Sequence, residues 1–413
     1  MAATRPSTAD NASIAKAIPR LRPASFPLLS YGFRPFFLGA AIWACVAMIG
    51  WIGLLSGALR FATGYGAAAW HAHEFLFGYV SAVMTGFLLT AIPNWTGRMP
   101  LQGGPLLGLV MLWMAGRIVM LMTDVIGAVP GALIDAAYLF VLTAAIMREI
   151  LAGKNWRNVK VVGLVGLVAT ANAVFHAEVI LSGVPDYGMR LGIAGIVALI
   201  MLVGGRVTPS FTNNWLTRQG AAVRPAPLSR FDFASIGVTA LALLLWVAAP
   251  TWQGTGAVLV VAALLQAMRL SRWAGLHTWR EPIVLILHVG YAFVPLGAFV
   301  LAVSIFRPEL LPATGALHAW TTGAMGVMTL AIMTRATRGH SGYSIESTPI
   351  TSAIYAAIVI AAIARVAVPF APAYMTELLY VSAVGWIAAF GLFVLSYGPM
   401  LVKARRQSHE YGC

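Results

Sequence analysis

The stretch Ala68–Pro93, AAWHAHEFLFGYVSAVMTGFLLTAIP, decides the fold. It carries one formal charge, Glu74, in a run long enough to cross a hydrocarbon core of about 30 Å as a helix. A barrel strand would be half that length and would alternate apolar with polar residues, so helix is the reading. Working outward, eleven further apolar runs begin near Phe36, Pro105, Val129, Lys160, Met189, Asp232, Thr255, Glu281, Pro312, Pro349 and Thr376. Each ends about 18 to 27 residues later, usually at a Pro/Gly/Asn/Asp cluster such as Pro93-Asn94, Pro185-Asp186 or Arg307-Pro308. The expectation is an all-α polytopic membrane protein of about twelve transmembrane helices.

Composition agrees. The 413 residues are 60% apolar and only 10% charged, where a soluble protein carries about 25% charge. Lipid is therefore the main solvent, and a nucleic-acid binder is excluded despite the net charge of +14. The basic residues sort by side, as cytoplasmic loops require. With the N-terminus inside, twenty-two of the 27 Lys and Arg residues fall on the inner side, and only Arg60, Arg190 and Arg307 lie in outer loops. Both termini are expected in the cytoplasm, flanking a multi-pass bundle.

Residues 1–34 read as a retained, partly disordered basic tail without a cleavage site, 35–402 as the transmembrane domain, and 403–413 as a second tail. Cys45 and Cys413 give no spacing for a disulfide framework, zinc knuckle or iron–sulfur cluster. There is no Cys-x-x-Cys-His, so a bound haem would be non-covalent, of b type. Phosphate-loop, zinc-protease and serine-elbow motifs are also missing. The longest loop, read as Val207 to Arg230, permits a six-plus-six plan. A three-by-four pseudo-repeat competes: segments two, six and ten share direction, are Gly-rich, and run into Asn94–Arg98, Arg206–Pro209 and Arg335–Gly339, all read as loops.

Ionisable side chains inside a membrane are costly enough to be functional suspects. By helix direction His71, His73 and Glu74, His176 and Glu178, and His318 all fall near the outer ends of three segments. Three helices thus offer imidazole at one level, which suits metal ligation. Satisfied interfacial histidines are the alternative. Two residues on an α-helix turn by about 200°, so His71 and His73 face opposite ways. That helix would stand between two centres, two haems or a haem and a copper, each taking one imidazole. His288 lies deeper toward the inside, as a ligand of another metal or a structural residue. His277, His340 and His409 fall in inner loops or the tail. Arg117 and Arg365 need buried anions, either haem propionates or, for Arg117, an ion pair with Asp135.

Four stretches then carry a resemblance. They are Ser30-Tyr31-Gly32-Phe33-Arg34-Pro35-Phe36-Phe37, Trp70-His71-Ala72-His73-Glu74-Phe75-Leu76-Phe77-Gly78-Tyr79, Gly86–Gly97, and His318-Ala319-Trp320 with Met333–His340. With these the chain resembles the NnrS family over nearly its whole length beyond the tail. The resemblance implies a bacterial inner-membrane protein carrying haem and copper, linked to the nitric oxide response and relief of nitrosative stress.

The expected function is a haem/copper redox protein that binds and reduces nitric oxide in the outer half of the bundle, an oxidoreductase of the nitric oxide reductase type. His71, His73, His176 and His318 would be ligands, Glu74 and Glu178 would carry protons or orient imidazoles, and Arg117 and Arg365 would hold propionates. Electrons would come from a c-type cytochrome or quinol. A twelve-helix transporter or metal/haem handling protein, and a nitric oxide sensor or sink without turnover, are the alternatives.

Overall fold

The structure, a computed structural model, describes residues 26–406; the expected tails at 1–25 and 407–413 lie outside the described residues. Twelve main helices are present: α1 Phe33–Leu55, α2 Gly66–Thr96, α3 Gly104–Met120, α4 Ala128–Ala152, α5 Trp156–Ser182, α6 Tyr187–Arg218, α7 Arg230–Ala248, α8 Gln253–Ser271, α9 Pro282–Phe306, α10 Ala313–Ser341, α11 Pro349–Phe370 and α12 Pro372–Val402. Eleven are long and apolar enough to cross a membrane, and α3 is the shorter apolar one. No strand occurs among the described residues. The protein is all-α and polytopic.

Helix ends follow local chemistry. α2 stops at Gly97, whose φ of 69° puts it in the left-handed cap conformation while its N–H bonds Pro93 O. α7 opens on a capping box between Ser229 and Asp232. At the head of α11, Thr348 Oγ1 accepts from the Thr351 amide at 3.2 Å. At the chain's start, Arg34 is buried rather than part of a solvated tail. Its Nη1 donates to Leu401 O at 2.8 Å and Lys403 O at 2.6 Å, tying the head of α1 to the foot of α12.

Successive helices pack as neighbours, and α12 returns against α1 to close the bundle. The most apolar windows of α2, α9, α10 and α6 are 78%, 72%, 67% and 61% buried, against 33% for α1, α7, α11 and α12. The former are the centre and the latter show most of their surface to lipid. α2, α6 and α10 also touch one another pairwise.

Each of these three is interrupted by a π-helical segment: Glu74–Val80, Ile200–Gly204 and Ala319–Gly326. Such wide turns tend to accompany functional sites. Two of them begin directly after His73 and His318. The shared interruption at four-helix intervals matches the three-by-four pattern. Where the three meet, a void of about 100 Å³ is lined almost wholly by apolar side chains, among them Val80, Ile200 and Met328.

Three boundaries differ from expectation. Asn94–Thr96, Arg206–Pro209 and Arg335–Gly339 lie inside α2, α6 and α10, not in loops, and α6 continues to Arg218. The connection to α7 is therefore shorter than the Val207–Arg230 loop read from sequence. His340 likewise belongs to α10 and stacks near Tyr31, with ring centroids 6.1 Å apart.

Candidate functional site

His73 and Glu74 sit at the start of the π-helical segment of α2, both fully buried. His73 Nδ1 lies 2.9 Å from Glu74 Oε1. On its other side, His73 Nε2 lies 3.0 Å from Asn172 Oδ1 and 3.1 Å from Asp135 Oδ2. Asp135 comes from α4; Asn172 and His176 come from one face of α5, four residues apart. His176 Nε2 approaches the same Asp135 Oδ2 at 3.0 Å, while its Nδ1 meets the Tyr65 hydroxyl at 2.7 Å. The Asn172 amide donates to Asp135 Oδ2 at 2.9 Å. His73, Asp135 and His176 each offer a ligand atom within 4.8 Å of the others, and all three are buried.

Arg117 of α3 completes this pocket. One arm of its guanidinium pairs with Glu74 and the other with Asp135. Of the two partners open to Arg117 from sequence, propionate or protein carboxylate, the structure shows the carboxylate, and both arms are taken. The close approach depends on glycine. A Cβ at Gly78 would lie 2.3 Å from Arg117 Nη1, and one at Gly116 would lie 2.6 Å from Asp135 Oδ1. The Gly78 carbonyl, inside the wide turn, accepts from Trp113 Nε1 at 2.9 Å.

The electrostatics are unbalanced. One guanidinium faces two carboxylates, so with neutral imidazoles the pocket lacks one positive charge. Leaving that imbalance buried is expensive, by several kcal/mol per uncompensated ion on the order-of-magnitude scale. An imidazolium or a bound cation removes it. The donor set also has the form of a metal site: two Nε2 atoms and a carboxylate oxygen converge, while each remote Nδ1 is held by a polar neighbour, Glu74 or Tyr65.

His71 faces the other way. Its ring stacks on Trp51 with centroids 4.3 Å apart and touches Phe75, and its Nδ1 is buried without a hydrogen-bond partner. His318, at the head of the α10 wide turn, fixes Nδ1 on Thr314 O at 2.7 Å, which leaves Nε2 as its free ring nitrogen. Arg365 near the outer end of α11 is within electrostatic range of both rings, and His71 is within range of His318. These four histidines thus form two groups, His73 with His176 and His71 with His318, on opposite sides of α2.

Two residues singled out from sequence stand elsewhere. Glu178 caps α6, accepting from the amides of Asp186, Tyr187 and Gly188 at 2.9, 2.8 and 2.8 Å. His288 bonds Thr212 Oγ1 at 2.8 Å through Nε2 and packs near Trp273, apart from both groups. Sequence reasoning missed Asn172, Tyr65 and Trp51. The four-residue spacing of Asn172 from His176 was the available signal for the first.

The family model for the NnrS protein matches residues 27–405. No curated protein matches the chain. A match over nearly the whole described length, on a polytopic helical bundle whose second helix holds the paired histidines, shows that the chain belongs to the NnrS family.

Proposed function

We propose that this is a haem- and copper-bearing membrane protein of the nitric oxide response that binds nitric oxide and reduces it, with both cofactors in the outer half of the bundle. The observation that carries the reading is the division of histidines by α2. His73 turns to a charge-deficient pocket of two imidazoles and a carboxylate, and His71 turns to an aromatic wall with a second histidine and an arginine nearby.

The residues fit the two groups differently. His73, His176 and Asp135 form a nitrogen–nitrogen–oxygen set that suits copper, and a cation there supplies the missing positive charge. His71 and His318 suit haem. His71 has an orphaned buried nitrogen, Trp51 offers a flat face, and Arg365 forms no ion pair among the described residues and can meet a propionate. When bound, these metals supply a site where nitric oxide coordinates and exchanges electrons.

The protein's own groups do the rest. Glu74 holds the His73 ring by Nδ1, Tyr65 holds His176, and Arg117 fixes Glu74 and Asp135 in place. Glu74, bonded to both His73 and Arg117, is the carboxylate positioned to pass a proton into the pocket; Glu178, spent on helix capping, is not. Nitric oxide is small and nearly apolar, so it reaches the site through lipid and apolar packing. Electrons come from a partner such as a c-type cytochrome or quinol. The proposed location is a bacterial inner membrane.

Metal and haem content per purified chain, with absorption spectra of two variants, tests this. His73→Ala is expected to lose copper and keep the haem band; His71→Ala is expected to lose or shift the haem band and keep copper. Loss of neither signal in either variant, or a wild-type chain lacking both, overturns the reading. Haem and copper without nitric oxide consumption under reductant would select the sensor or sink.

A further inference from the structure

The inner ends of α2, α6 and α10 enclose a second cavity of about 520 Å³, on the opposite side of the bundle from the histidine groups. Its polar lining comes from Thr90, Asn94, Arg206, Arg335 and His340, and its aromatic lining includes Trp95 and Phe211. Among the described residues no carboxylate lines it.

Arg335 is the unusual member. It is only 8% exposed, its guanidinium lies over the Phe211 ring at 3.6 Å, and its Nη1 is buried without a hydrogen-bond partner among the described residues. Glu281, whose charge reaches Arg335, accepts a hydrogen bond from the Ser347 amide at 2.9 Å. Arg206 is exposed and has one contact, Nη1 to Asn158 Oδ1 at 3.2 Å. An arginine that keeps a donor unpaired at nine-tenths burial is held ready for an anion, because an unsatisfied buried N–H otherwise only costs stability.

We propose that this cavity binds an organic anion with an apolar body, a phosphate ester or carboxylate, admitted from the Lys/Arg-rich side. Arg335 and Arg206 take the anionic head, and the Phe87, Val203 and Ile332 surface takes the body. The volume is that of a pocket for an organic molecule, far above what a lone phosphate fills. A lipid of the inner leaflet and a soluble phosphate ester share this head chemistry. The proposal stands independently of the metal reading, since none of its residues touches the histidine groups.

The test is thermal unfolding of the full chain in a non-ionic detergent with octyl phosphate, glycerol phosphate, inorganic phosphate or octanol. Octyl phosphate is expected to raise the melting temperature in a dose-dependent way, octanol and inorganic phosphate not. Stabilisation by glycerol phosphate as well would identify a soluble source; by octyl phosphate alone, a lipid. Arg335→Gln is expected to weaken octyl phosphate binding roughly tenfold or more, since a charged hydrogen bond is lost. Ala336→Phe keeps every charge but fills the space, and is expected to remove the shift, which covers the case in which Arg335→Gln does not fold. No rise with octyl phosphate, an equal rise with inorganic phosphate, or an undiminished rise in a folded variant overturns the proposal.

Discussion

A methyl group added at Gly78 would press on Arg117 Nη1, Glu74 Oε2 and Trp43 Nε1 at once. Gly78→Ala is therefore expected to destabilise the protein by about 1–3 kcal/mol through forced displacement of the ion pair. A lowered melting temperature would show it; an unchanged protein would contradict the packing. Arg117→Gln has a larger expected cost, about 3–5 kcal/mol, because two buried carboxylates lose their counter-charge. Yield of folded protein and melting temperature measure it, and adding Asp135→Asn should recover part of the loss. At this scale the sequence was legible where helix rotation alone decides the outcome. Two positions apart puts His71 and His73 on opposite sides of α2, and they are. It was not legible where partners come from other helices: Tyr65 and Asn172 approach the imidazoles only through tertiary packing, and Glu178 gives no sequence sign that its carboxylate turns to the next helix's amides.

Helix capping by Glu178 makes a prediction at the scale of the element. Glu178→Ala leaves three amides at the head of α6 without their acceptor and is expected to cost about 0.5–2 kcal/mol. On the proposed function, metal and haem content per folded chain should stay at the wild-type level, whereas Glu74→Ala should lower copper content; equal effects would place Glu178 in the site after all. Helix beginnings were read within a few residues for all twelve segments, because apolar onset marks them. The inner ends of α2, α6 and α10 were not. Outside the hydrocarbon layer hydropathy no longer distinguishes a polar helix from a loop, so Arg206–Arg218 read as loop although it continues the helix.

For the whole molecule, the partition of basic residues makes a prediction of orientation, with the Lys/Arg-rich side in the cytoplasm. In a chain with Cys45 and Cys413 replaced by Ala and Ser, a membrane-impermeant maleimide is expected to label Ser182→Cys in intact cells, and Gln219→Cys only after permeabilisation. The reverse pattern would invert the bundle and put the histidine groups on the inner side. Both positions are exposed, so accessibility to the reagent is decided by the membrane. The pseudo-repeat was legible as a spacing of Gly-rich segments. The wide turns themselves were not, because no residue pattern in a single sequence requires one.

Arg34 is synthesised hundreds of residues before Leu401 and Lys403, whose carbonyls receive it. Until the final helix leaves the ribosome, that guanidinium has no destination at the membrane's edge, and the bundle stays an open horseshoe. Truncation just before residue 400 should consequently leave a chain that inserts yet never latches, and that quality-control proteases clear faster than the full-length protein.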